Sequence, residues 1–129
     1  MEFDEMSAMQ AALFVFFLLQ VKHFVADFVL QTNQMVVEKG IYGARYGIYH
    51  SLIQSAGTFL AFAWMHPLLG IITAFVDFMA HYHIDWAKMN LNAKLGWAPN
   101  THEQFWWLLG LDQFLHALTY ILLVALVVV

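Results

Sequence analysis

The chain has 129 residues, of which 62% are hydrophobic and only 11% charged, with a formal net charge of -4 and no cysteine. So small a charged fraction, against about 25% in soluble domains, fits a chain whose solvent is largely lipid. Without a Lys/Arg cluster there is no nucleic-acid footprint. Without cysteine, disulfides, iron–sulfur clusters and thiolate zinc sites are excluded, and a metal would need nitrogen and oxygen ligands.

The length suits one domain over residues 1–129, and the pattern predicts an all-α, integral membrane four-helix bundle with spans near 7–30, 45–65, 68–88 and 103–127. The first six residues include Glu2, Asp4 and Glu5 where a secretory signal would be basic, so the first apolar run reads as a retained span. Glu2 also excludes a myristoyl signal. Residues 11–19 contain no polar side chain, and the run can cross a hydrocarbon core of about 30 Å. Its second half becomes amphipathic, with Gln20, His23, Asp27 and Gln31 forming one stripe. Residues 32–44, with Glu38, Lys39, Gly40 and Gly43, read as a loop holding a short interfacial helix.

The second span carries His50 and Gln54, then Ser55, Ala56 and Gly57, which would let another helix approach closely. His66 and Pro67 form a tight turn. On the third span, Asp77, His81, Asp85 and Lys88 fall within roughly 80° of one another at 100° per residue. Residues 89–102 read as a loop at the water interface, with Trp97, Trp106 and Trp107 as an aromatic belt. The fourth span brings Asp112 and His116 and ends in an apolar run. His66, His83 and His102 lie at turns or off the stripe and read as interfacial.

Four spans put both termini on one side. Lys39, Arg45, Lys88 and Lys94 belong to the first and third connections, so the positive-inside rule places those loops in the cytoplasm and both termini outside. In that topology His23 and Asp27, His50, His81 and Asp85, and Asp112 and His116 all reach similar depth, in the cytoplasmic half of the bilayer. Ionisable residues within a span are costly and mark function by default. The expected ligands and their immediate partners are therefore His23, Asp27, His50, Asp77, His81, Asp85, Asp112 and His116. Each i,i+4 pair puts an imidazole and a carboxylate on one face, a donor set that suits zinc first, then manganese or iron.

The ordered set His23/Asp27/Gln31, His50, His81/Asp85/Lys88 and Asp112/Gln113/His116 resembles a family of small bacterial and phage membrane proteins, the domain of unknown function 3307 family. The resemblance covers residues 19–118. It implies a bacterial or phage origin, the bacterial inner membrane and a polar intramembrane site, and supplies no activity. In residue types the pattern also resembles membrane-bound metal-dependent hydrolases.

The leading functional expectation is a divalent metal, zinc first, acting in hydrolysis of a lipid or head group. His23, His81 and His116 with Asp85 or Asp27 would bind it, and Asp112 would act as general base. Lys88, Lys39 or Arg45 would meet an anionic head group. Membrane lipids, and further copies of the chain, are the expected partners. Three alternatives compete: a proton or divalent-cation relay, a bis-histidine haem protein, and a non-catalytic assembly factor whose polar residues are interhelical glue worth about 1 kcal/mol each. A Soret band would mark haem, and Lys22 and Lys88 on the bland reading only snorkel or neutralise an aspartate.

Overall fold

A computed structural model describes residues 7–128, so the acidic stretch 1–6 lies outside the described residues. Among the described residues the chain is all helical. α1 spans Ala8–Phe24 and runs into a π turn, Val25–Val29; α2 is Asn33–Glu38, α3 Arg45–Ala63, α4 Pro67–Leu95 and α5 Glu103–Val127.

Local chemistry sets these boundaries. Ser7 and Gln10 exchange side-chain and backbone hydrogen bonds in a capping box that starts α1. Thr32 accepts from Met35 N to start α2. Glu38 accepts from Tyr46 N at 2.8 Å and satisfies a free amide at the start of α3. Pro67 occupies the first turn of α4, where its missing N–H costs nothing, and His66 Nδ1 accepts from Leu68 N. Gly96 stops that helix in the left-handed conformation, φ 67°.

α4 is longer than the sequence pattern indicates. The connection expected from residue 89 begins only at Gly96, because Asn90 and Asn92 hydrogen-bond carbonyls of Gly40, Trp86 and Trp97 instead of breaking the helix. The first span ends in the π turn, where Leu30 N reaches back five residues to Val25 O. Asp27 sits inside this widened turn.

α1 packs against α3 and α5, and α4 against the same two, so each long helix has two long neighbours; α2 lies on α3. One end of the interior is apolar, built from Val15, Leu19, Ala61, Phe62, Leu123 and Val124. The rest is polar, with four histidines and four aspartates buried. Large apolar side chains point outward instead, among them Phe17, Leu60, Phe75, Trp107 and Leu126. That inversion is what a lipid solvent selects. Three helical stretches, Ala8–Val29, Pro67–Leu95 and Glu103–Val127, are long and apolar enough to cross a membrane. α3, with 19 residues, is more polar and buries His50, Ser51, Gln54, Ser55 and Thr58.

Candidate metal centre

His50 from α3, His81 and Asp85 from α4, and Asp27 from the π turn meet in the interior. His50 Nε2 lies 3.1 Å from Asp27 Oδ1, 3.3 Å from His81 Nε2 and 3.4 Å from Asp85 Oδ2. His81 Nε2 lies 3.2 Å from Asp85 Oδ2 and 3.9 Å from Asp27 Oδ1. Ligands about 2.05 Å from a tetrahedral zinc are separated by about 3.3 Å; the spacings among His50, His81 and Asp85 have that size, whereas Asp27 stands farther from His81. Hydrogen bonding alone serves the cluster poorly. A neutral imidazole carries one N–H, whereas His50 Nε2 faces two carboxylate oxygens and a second imidazole nitrogen.

A second group adjoins the first. His116 Nε2 lies 3.1 Å from Asp85 Oδ1 and 3.4 Å from Asp112 Oδ1. Its ring stacks on His81 with centroids 3.9 Å apart and planes 21° from parallel. Asp27, His50 and His81 form one set of atoms able to hold an ion, and His81, Asp85 and His116 form another. Asp85 turns one oxygen toward each set. The Nδ1 atoms of His50 and His81 have no hydrogen-bond partner among the described residues. Packing therefore orients these two rings, in contrast to the usual carboxylate or carbonyl behind a ligating imidazole.

The other expected residues stand around these sets. His23 Nε2 is 3.2 Å from Asp27 Oδ2, but it also lies 2.8 Å from Gln113 Oε1, and Nδ1 lies 2.8 Å from Tyr120 OH. His23 is thus beside Asp27 with both ring nitrogens engaged. Asp77 belongs to a separate cluster, accepting from Lys22 Nζ at 2.9 Å and Thr58 Oγ1 at 2.6 Å. Lys22 also donates to Gln54 Oε1 and Tyr120 OH, and Gln54 Nε2 donates to Asp27 Oδ1 at 2.6 Å. Lys39 Nζ is 3.7 Å from Asp85 Oδ2, and Lys88 Nζ is 3.8 Å from Asp112 Oδ2.

Two glycines admit the lysines. A Cβ on Gly57 would fall 2.8 Å from Lys22 Cβ, and one on Gly47 would fall 2.8 Å from Glu38 O and 2.9 Å from Lys39 Cα. Thr58 and Tyr120 escape a search for histidine and carboxylate, yet helical spacing carries them. Thr58 follows His50 and Gln54 on one face, and Tyr120 follows Asp112 and His116 on another.

No curated protein and no solved structure matches the chain. A family model described as "Protein of unknown function (DUF3307)" matches residues 15–129, which include every imidazole and carboxylate of the centre, and the chain belongs to that family.

Proposed function

We propose that this is an integral membrane protein of four spans that holds a divalent cation, zinc first, in the cytoplasmic half of a bacterial inner membrane and hydrolyses a lipid or its head group. The observation that carries this reading is the set of 3.2–3.4 Å distances among the ligand atoms of His50, His81 and Asp85, the size expected between ligands of one metal ion. Charge supports it as well. Four buried carboxylates face three ammonium groups, Lys22, Lys39 and Lys88, so neutral histidines leave one negative charge uncompensated. In this reading α3 is the fourth span, its polar face turned inward, and the helix ends and connections bearing Lys39, Arg45 and Lys94 lie in the cytoplasm with both termini outside.

His50, His81 and Asp85 would hold the cation and leave a fourth position open for water beside Asp27, which Gln54 and Gln113 fix by hydrogen bonding and His23 borders at 3.2 Å. When bound, the cation supplies Lewis-acid polarisation and brings the pKa of a water down toward about 7. Asp112, beside His116 and reached from the lipid side past Lys88, would receive the proton, and Lys88 would meet the anionic part of the substrate.

Elemental mass spectrometry on protein purified without added metal tests the centre. About one zinc, manganese or iron per chain, lost in His81→Ala and Asp85→Ala, is the expected result. Metal-free wild type, with both variants folded, would sink it. The hydrolase step predicts cleavage of lipid phosphate or ester that chelation abolishes.

One observation favours a second reading. Hydrogen bonds run from Thr58 through Asp77, Lys22 and Tyr120 to His23 and Gln113, and from Lys22 through Gln54 to Asp27. Such a chain can relay protons across part of a membrane. Proton flux in proteoliposomes without lipid turnover would select it over hydrolysis.

A further inference from the structure

An ammonium group has three N–H donors, and the three inward lysines use theirs unequally. Lys22 is saturated, with acceptors at 2.9, 2.9 and 3.0 Å. Among the described residues Lys39 donates at 3.0 Å only to Gln31 Oε1, and it stands 3.7 Å from Asp85 Oδ2. Lys88 makes no hydrogen bond among the described residues and stands 3.8 Å from Asp112 Oδ2. Both ion pairs are longer than the roughly 2.7–2.9 Å of a charge-assisted hydrogen bond. The two side chains are only 7% and 16% exposed, so water serves their free donors poorly. Asp85 and Asp112 both contact His116, so each of these lysines pairs with a carboxylate next to that ring.

Beside Lys88, between α4 and α5, lies an apolar groove of about 390 Å³. Ile84, Leu91, Leu108, Leu111 and Leu115 line it, and its polar lining is Lys88, Asp112 and His83. Leu91 and Leu111 are about half exposed, so the groove faces the lipid side of the bundle. It is apolar along its length and meets unfilled cationic donors at the centre, which is the complement of an amphiphile with an anionic head. With a divalent cation in place, the interior carries one net positive charge, enough for one anionic group.

We propose that this groove seats an acyl chain of a phospholipid whose phosphate lies against Lys39 and Lys88 at the edge of the metal centre. The proposal deepens the metal-centre reading and rests on it for the cation. It names the substrate class as a membrane lipid phosphate, and it separates Lys22, a structural cation, from Lys39 and Lys88, which meet the ligand.

Native mass spectrometry of the full chain, delipidated in detergent and loaded with zinc, provides the test. The probes are dioleoyl phosphatidic acid, dioleoylglycerol and inorganic phosphate. Phosphatidic acid should bind at least about tenfold more tightly than either of the others, a gap of about 1.4 kcal/mol. Lys39→Gln and Lys88→Gln should each weaken it about tenfold with zinc retained. Leu111→Trp fills the groove from an exposed position that does not threaten folding. It should weaken the lipid and leave inorganic phosphate unchanged. Equal binding of phosphatidic acid and dioleoylglycerol, or of phosphatidic acid and free phosphate, overturns the proposal, as do lysine variants that retain the lipid like wild type. Zinc is counted in the same spectra. Lysine-dependent lipid binding by a protein that takes up no zinc would uphold the lipid site and overturn the metal reading, so the two fail separately.

Discussion

Lys22 and Asp77 are buried to 9% and 1% side-chain exposure and touch at 2.9 Å, with Thr58, Gln54 and Tyr120 completing their hydrogen bonds. Removing one partner strands a charge, at a cost of about 3–5 kcal/mol, whereas replacing both with apolar groups of similar volume is close to neutral. Lys22→Met and Asp77→Leu should each lower the unfolding midpoint in detergent, and the double variant should recover most of the loss. A double variant as unstable as the sum of the singles would show that the two side chains do not act as a pair. His81/Asp85 and Asp112/His116 were legible from i,i+4 spacing because that spacing fixes a face. His23/Asp27 has the same spacing, yet both nitrogens of His23 are taken by Gln113 and Tyr120 on another helix. Such engagement is tertiary and leaves no trace in local sequence.

α2 carries Lys39 to the centre only because Gly47 lets α3 pass against the backbone of Glu38 and Lys39. Gly47→Ala would gain helix propensity of nearly 1 kcal/mol. The backbone atoms in its way cannot rotate aside as a side chain could, and overpacking of this kind costs about 1–3 kcal/mol. The expected outcome is a less stable protein in which Lys39 is displaced from Asp85, seen as a lower unfolding midpoint and faster amide exchange across α2. Unchanged exchange would refute the role given to Gly47. The four long helices and the short α2 were readable from apolar runs and from the Gly and Pro residues that punctuate them. The π turn was not. Its five-residue hydrogen bond depends on where Asp27 must point to meet His50, a demand made by α3. Likewise the final turns of α4 persist because Asn90 and Asn92 find partners there.

Across the whole molecule, the polar interior and apolar exterior would make a bound cation and the fold mutually dependent. A cation that binds the folded state alone stabilises it by about 2.7 kcal/mol at a hundred times its dissociation constant. Zinc added to stripped protein should therefore raise the unfolding midpoint, and His81→Ala, which removes an atom common to both ligand sets, should abolish the rise. A midpoint indifferent to zinc would argue for the relay instead. That the four histidines meet in the interior follows from their places along the apolar runs, which the sequence shows. The unequal saturation of the three lysines does not, because it depends on distances between helices.

If α3 is the fourth span, as proposed above, its 19 residues bear on the surrounding membrane. At about 1.5 Å per residue the helix is about 28 Å long, slightly short of a hydrocarbon core of about 30 Å. It is held at its start by the close contact at Gly47 and separated from α4 by only three residues, so it has little freedom to lean or lengthen. In that reading hydrophobic mismatch would fall on the lipid, which would thin locally at a cost that grows with each ångström. The protein is expected to sort toward thinner bilayers, and its unfolding midpoint in vesicles should fall as acyl chains lengthen; a midpoint insensitive to chain length would mean that α3 does not set the span.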